Sequence, residues 1–84
     1  MKQNISHNWI MSQDFVQKYR NILAKNVKYL REAKKLKREE LSLLLGFDNS
    51  YISKIEKCRI NITIDKLAII ANFFEINIKD LFNG

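Results

Sequence analysis

The sequence predicts a single small domain built entirely of α-helices. Its 84 residues suffice for one hydrophobic core and are too few for two ordinary domains. Apolar residues recur at spacings of three and four over long stretches, which is the period of a helix with one buried face. The chain has no proline and only two glycines, a composition typical of helices joined by tight turns.

The first and longest helix is expected over residues 13–35, after an N-terminal tail of residues 1–12. Ser12 is the expected N-cap, because its hydroxyl can accept a hydrogen bond from a free amide of the first turn. The apolar stripe of this helix is Phe15, Tyr19, Ile22, Leu23, Val27 and Leu30. The folded domain is therefore expected to span residues 13–84.

Two short helices are predicted next. Residues 38–45 form the second helix, and Gly46 after it suits the left-handed conformation that ends many helices. Residues 49–57 form the third helix, with Asp48 as its expected N-cap. A glycine-containing turn between two short helices is the layout of a helix-turn-helix.

Two further helical segments complete the prediction. Thr63 is expected to cap a fourth helix over residues 64–74, and Asn77 a last turn over residues 78–82. The buried stripe of the fourth helix is Leu67, Ile70, Ala71 and Phe74. The sequence thus predicts five helices, although the β-branched residues of 60–64 favour a strand by propensity alone.

Positive charge is concentrated in one part of the chain. The net charge is +6, and residues 18–38 hold nine basic residues against one acidic residue, Glu32. A one-sided cationic surface favours a polyanionic partner, with nucleic acid first and an anionic membrane second. The alternative is a lysine-rich face that is merely solvated.

Other classes of protein are disfavoured by what the sequence lacks. Cys58 is the single cysteine and His7 the single histidine, so we expect no disulfide, no metal site and no cofactor, and a cytoplasmic location. No apolar run approaches the ~18 residues of a membrane span, and no signal peptide is evident.

Neighbouring Glu39 and Glu40 point about 100° apart on a helix, so they cannot act as a catalytic pair. We therefore expect no catalytic residues and no enzymatic activity.

The segment from Val27 to Phe82 resembles the Cro and phage-repressor (Xre-like) helix-turn-helix family, which has the lambda-repressor-like fold. Nine residues stand at the spacings of the family pattern: Leu30, Arg31, Leu41, Gly46, Ile52, Ile55, Glu56, Asn61 and Leu67. The stretch YISKIEKCRINITIDKL also resembles the controller proteins of restriction-modification systems.

The resemblance implies that the third helix lies in the major groove of DNA, with Asn49, Ser50 and Lys54 contacting the bases. An amide, a hydroxyl and an ammonium group can each hydrogen-bond to base edges. Contacts to the phosphate backbone are expected from Arg38, Tyr51, Lys57 and Arg59. The alternative is that Asn49 and Ser50 are ordinary polar residues at a helix start and that Lys54 is solvated surface.

The resemblance also implies a structural salt bridge between Arg31 and Glu56 that orients the third helix. The chain departs from the family pattern at four positions, where Lys35 and Cys58 replace glycines, Lys37 replaces a capping Ser or Thr, and Arg38 replaces a Gln. Three of these departures, Lys35, Lys37 and Arg38, add positive charge near the DNA backbone. A packing or surface thiol is favoured for Cys58 over a redox switch, because there is no second cysteine to resolve an oxidised one.

A surplus of apolar residues predicts self-association. Leu43, Leu44, Ile69 and Phe73 stand where the family pattern is usually polar. The expected two-fold dimer interface consists of Ile69, Phe73, Ile76, Ile78, Leu81 and Phe82. The rival explanation is that Trp9, Ile10 and Met11 fold back over Ile69 and Phe73 within one chain.

The implied function is sequence-specific regulation of transcription by a homodimer bound to double-stranded DNA. Its two recognition helices would lie about 34 Å apart on a roughly palindromic operator, and autoregulation, as in controller proteins, is expected. The alternative is an antitoxin or other protein-interaction module that uses the same fold, with residues 1–20 as its candidate segment for binding a partner protein.

Overall fold

The computed structural model describes the backbone of residues 5–84 and the side chains of residues 14–84. Four α-helices follow one another in this part of the chain, and a short 3₁₀ helix completes it. They are α1 (Ile5–Ala33), α2 (Arg38–Leu44), α3 (Tyr51–Glu56), α4 (Ile64–Phe73) and the 3₁₀ helix (Ile78–Phe82). The all-α prediction is confirmed, but the fifth predicted helix is a 3₁₀ helix, so the α-helices number four within the described residues.

The helix α1 begins earlier than predicted. It starts at Ile5, so Ser12 lies inside the helix instead of capping it. In residues 5–12 apolar residues do not recur at helical spacing. A helix that already exists can still be extended through them, because each added residue contributes one backbone hydrogen bond. The predicted fold-back of Trp9, Ile10 and Met11 concerns side chains outside the described residues. No helix of the described part is long and apolar enough to cross a membrane.

The core joins all five helical elements. Each contributes one apolar side chain with no exposed surface, and these are Val27, Leu41, Ile52, Ile70 and Leu81. Leu81 is therefore a core residue of a single chain, and its predicted place in a dimer interface is wrong. The 3₁₀ helix is also tied to α1, because the Asn26 amide donates to the carbonyls of Leu81 and Asn83 at 2.7 and 2.9 Å.

Each of the four α-helices in residues 5–84 is followed by a residue in the left-handed conformation. These residues are Lys35, Gly46, Cys58 and Glu75, with φ of 59°, 78°, 58° and 59°. After α3, the amides of Cys58 and Arg59 donate to the carbonyls of Ile55 and Lys54, both at 2.9 Å. This pair of hydrogen bonds is a Schellman motif, and the other three helices end with the same pattern. The motif explains how the chain turns tightly without proline.

The helices begin with different caps. The predicted cap of α4 is confirmed, because the Thr63 hydroxyl accepts a hydrogen bond from the Lys66 amide at 3.2 Å. At α2, the Glu40 carboxylate accepts the Lys37 amide at 2.7 Å, which stabilises a helix start that lacks Ser or Thr. Asp48 does not cap α3. That helix starts at Tyr51 with Ser50 as its N-cap residue, and the Asp48 carbonyl accepts the Tyr51 amide in the preceding turn.

Candidate functional site

A polar cleft of about 590 Å³ lies between the beginning of α2 and the beginning of α3. It brings together three of the residues predicted to contact DNA, namely Arg38, Asn49 and Ser50. The complete lining is Arg31, Lys37, Arg38, Glu39, Asn49, Ser50 and Ser53. Hydroxyl, amide and cationic groups thus share one concave surface, which can both hydrogen-bond to a ligand and attract negative charge.

Asn49 and Ser50 lie in the turn before α3 and not in its first helical turn, where they were predicted. Asn49 is exposed and Ser50 is half-buried. Ser50 occupies the N-cap position of α3, but its side chain makes no capping hydrogen bond. Its hydroxyl is therefore not engaged by the start of its own helix.

A buried ion pair joins α1 to the end of α3, as the family resemblance implied. The Arg31 guanidinium donates to both carboxylate oxygens of Glu56, from Nε at 2.7 Å and from Nη2 at 3.1 Å. The two side chains are only 9% and 6% exposed. Hydrogen bonding to Glu56 is the main cause that raises the pKa of Arg31, so the guanidinium stays charged. The remaining Arg31 nitrogen donates to the Leu36 carbonyl at 2.7 Å.

Glu56 connects this ion pair to the cleft. The Arg38 guanidinium lies 3.8 Å from Glu56 Oε1, while half of the Arg38 side chain remains exposed. Arg38 is thus held beside the cleft with its charge accessible to solvent. We refer to Arg31 and Glu56 together as the clamp.

Three of the predicted basic contacts lie elsewhere. Lys54 is in the last turn of α3, and Lys57 and Arg59 follow that helix. All three side chains are exposed, and none belongs to the lining of the cleft. The structure therefore separates the predicted contacts into a cleft group and a group near the C-terminal end of α3.

Tyr51, which the sequence predicted to contact the phosphate backbone, is placed differently from the other predicted contacts. Tyr51 lies in the core with 7% of its surface exposed, and its ring packs edge-on against Phe47 at 4.8 Å between centroids. The Lys66 ammonium lies 4.7 Å from the centre of the Tyr51 ring. Burial raises the pKa of the Tyr51 phenol above its usual value of 10.0. The residue is buried because it begins α3 on the face that packs into the domain.

Sequence reasoning missed two residues of this region. Ser53 lines the cleft, and its position three residues after Ser50 and four after Asn49 would have placed it on their side of the helix. Ser42 has no exposed surface, and its hydroxyl accepts the Ile52 amide at 3.0 Å and donates to the Arg38 carbonyl at 2.9 Å. Its only signal in the sequence is a single polar residue within the apolar run from Leu41 to Leu45.

A second concave surface lies on the opposite side of α3. This groove has a volume of about 340 Å³, and its walls come from α1, the end of α3, the link to α4, and Phe82. Its apolar walls include Phe15, Val16, Tyr19, Ile55, Ile60 and Ile62. Cys58 is in the wall as well, with its thiol 3.1 Å from the Asn21 side-chain oxygen.

The residues predicted for a dimer interface differ in exposure. Ile69 is 42% exposed, and Phe73, Ile76, Ile78 and Phe82 are half-buried. The Phe73 ring contacts the Lys34 ammonium, which lies 5.8 Å from its centre. These five residues leave apolar surface accessible on the domain, whereas Leu81 does not.

The sequence is similar to those of helix-turn-helix proteins. A model of the helix-turn-helix family matches residues 27–81. Over 71 residues the chain is 31% identical to an uncharacterized HTH-type transcriptional regulator of Rickettsia conorii, in a match that covers 84% of this chain. The chain spans 57% of the length of that relative.

The structure is also similar to solved structures of other proteins. A hypothetical transcription factor from Neisseria has a TM-score of 0.74 and 29% sequence identity, and the match covers 77% of this chain and 75% of the other. The restriction-modification controller protein C.AhdI of Aeromonas hydrophila has a TM-score of 0.69 and 28% identity, with 75% of this chain and 96% of that chain covered.

Proposed function

The chain belongs to the helix-turn-helix family, as its sequence predicted, and on that premise we propose that it is a transcriptional regulator that binds double-stranded DNA at a specific sequence. The observation that carries this proposal is the cleft, where Arg38, Asn49 and Ser50 meet beside α3. The three similar proteins are described as an HTH-type transcriptional regulator, a hypothetical transcription factor and a restriction-modification controller protein.

In this proposal the cleft and the exposed face of α3 contact the bases. Asn49 pairs with adenine through its amide, Ser50 and Ser53 donate or accept at base edges, and Lys54 reaches guanine. The flanking cations Arg38, Lys57 and Arg59 neutralise phosphates and fix the register without reading sequence. The buried clamp supports this division of roles, because it holds α3 rigidly against α1 while leaving the cleft open.

We further propose that the protein acts as a homodimer on a roughly palindromic operator. The accessible apolar residues of α4 and the C-terminal segment provide the two-fold interface, with Ile69 and Phe73 at its centre. Two copies would then present their α3 helices about 34 Å apart, in successive major grooves. Autoregulation in the manner of a controller protein is the specific form we favour, given the similarity to C.AhdI over 96% of that chain.

The test measures the affinity of the protein for the DNA duplex immediately upstream of its own gene. The same measurement on a scrambled duplex gives the comparison, and both are made at about 50 and 200 mM salt. Phosphate-driven binding weakens by orders of magnitude over this range, so preference for the upstream duplex at the higher salt reports base contacts. We expect the double substitution Asn49→Ala and Lys54→Ala to abolish the preference. Lys28→Ala, at an exposed lysine of α1, is the matched control and should retain it.

A second candidate function is a protein-interaction module. It is favoured by the exposed apolar residues near the start of the described side chains, where Phe15 is 56%, Val16 45% and Tyr19 47% exposed. Equal binding of both duplexes, lost together as salt rises, would contradict the regulator and favour this alternative. The stoichiometry at saturation, measured by sedimentation, tests the dimer separately.

A further inference from the structure

The beginning of α3 is capped by a side chain from another helix. In most helices the N-cap side chain accepts a hydrogen bond from the amide two or three residues later. Here the N-cap residue is Ser50, and the amide two residues later belongs to Ile52. That amide donates instead to the hydroxyl of Ser42 on α2, at 3.0 Å. The Ser50 side chain makes no capping hydrogen bond.

The Ser42 hydroxyl is well suited to this task. It donates its own proton to the Arg38 carbonyl at 2.9 Å, which directs a lone pair of the oxygen toward the Ile52 amide. The residue has no exposed surface, so water does not compete for either hydrogen bond. The contact spans ten residues of sequence and joins the two helices of the motif directly.

We propose that Ser42 is a positioning residue for DNA recognition, which acts by keeping the Ser50 hydroxyl free. Because Ser42 satisfies the Ile52 amide, Ser50 can face the cleft and contact a base instead of capping its own helix. Without the Ser42 hydroxyl, the unsatisfied amide would draw the Ser50 side chain back onto α3. This inference rests on the proposed function, since it assigns Ser42 a role in the selectivity of the same site.

The test is a double-mutant cycle with Ser42→Ala and Ser50→Ala, read out as the ratio of dissociation constants for the scrambled and upstream duplexes. Each single substitution should reduce this ratio about tenfold, which is the loss of one base contact. The double variant should be no worse than Ser42→Ala alone, because Ser50 has already left the DNA. Ser42→Thr retains the hydroxyl and should recover most of the ratio.

Two controls separate positioning from simple stabilisation. Ile70→Val removes one methylene from the core at a residue without exposed surface, so it lowers stability by an amount comparable to a lost hydrogen bond. It should leave the ratio unchanged. In the free protein, hydrogen exchange of the Ile52 amide should stay slow in Ser42→Ala, where Ser50 takes over the cap, and become fast only in the double variant.

The outcomes distinguish the inference from the function on which it rests. Additive losses in the cycle, or an equal loss of selectivity in Ile70→Val, would overturn the role of Ser42 while wild-type selectivity leaves the regulator intact. Fast exchange of the Ile52 amide in Ser42→Ala alone would also overturn it, because Ser50 would not have moved. A wild-type protein that binds both duplexes equally would overturn the proposed function and, with it, this role.

Discussion

The two concave surfaces beside α3 differ sharply in chemistry. The cleft at the start of the helix is lined by hydroxyl, amide and charged groups, including Asn49 and Ser53. The groove at its end is walled mainly by apolar side chains, including Ile55 and Ile60. One short helix therefore separates a surface suited to a polar, anionic ligand from one suited to apolar packing. The comparison shows that α3 must be fixed firmly by its neighbours, since six residues alone form no stable helix.

Two kinds of interaction hold α3 in place. The first is packing at the groove, where Ile55 is buried with only 3% exposure and the Schellman motif at Cys58 closes the helix. The second is the clamp between Arg31 and Glu56, which ties the last residue of α3 to α1. The hydrophobic effect that favours burial of Ile55 has no preferred direction. The two hydrogen bonds of the clamp do have one, so they also set the orientation of α3 relative to α1. The clamp therefore fixes the orientation of the end of α3, as the hydrogen bond from the Ile52 amide to Ser42 does at its start.

The largest effect is expected from breaking the clamp. Arg31→Ala leaves the Glu56 carboxylate charged and largely buried, so the free energy of unfolding should fall by about 3–5 kcal/mol. Urea denaturation of the two proteins measures this difference. Arg38→Ala is the matched control, because half of that side chain is exposed and it lies 3.8 Å from the same carboxylate. The control should lose less than about 1 kcal/mol; equal losses would mean that the clamp has no special role in holding α3.

A smaller effect is expected at the groove, where Cys58 ends α3 with a φ of 58°. A residue with a Cβ atom is strained in this conformation by about 1–2 kcal/mol, and glycine is not. Cys58→Gly should therefore unfold at a higher urea concentration than Cys58→Ala, with a difference of about 1 kcal/mol. Both variants lack the thiol, so the comparison isolates the backbone. Equal stability would show that the turn relaxes when the side chain changes.

The fold could be predicted from the sequence where a local rule decides it. The apolar spacing identified the buried face of α4, and Thr63 marked its start, because periodicity and capping depend on residues close in sequence. In α1 the predicted stripe is buried at Leu23 and Val27, but Phe15 and Tyr19 of the same stripe are 56% and 47% exposed. The resemblance also supplied the pairing of Arg31 with Glu56 across the fold. Local rules failed at the start of α1, since propagation of an existing helix needs no apolar pattern.

The site was predicted less completely, because its details depend on contacts between distant residues. Asp48 has the right side chain for a cap, but the amide of Ile52 is satisfied by Ser42, ten residues earlier. No periodicity reveals that a serine in an apolar run caps another helix. The burial of Tyr51 was missed for a similar reason, since its partners Phe47 and Lys66 come from a turn and from α4.

The smallest effect is expected from the phenol of Tyr51, which begins α3 beside the cleft. Burial raises the pKa of this group above 10.0, so the folded protein keeps a proton that the unfolded chain releases. The stabilisation is complete below pH 10 and is lost as the pH rises through the higher pKa of the folded state. Tyr51→Phe should therefore lose less stability than the wild type as the pH rises above about 10, measured as the urea concentration at the midpoint of unfolding. Tyr29→Phe, at a side chain that is 71% exposed, controls for removing a phenol without altering the core. If the stability of the wild type and of Tyr51→Phe fell in parallel with pH, the raised pKa of the Tyr51 phenol would be contradicted. Loss of DNA selectivity in Tyr51→Phe would show that the hydroxyl takes part in binding.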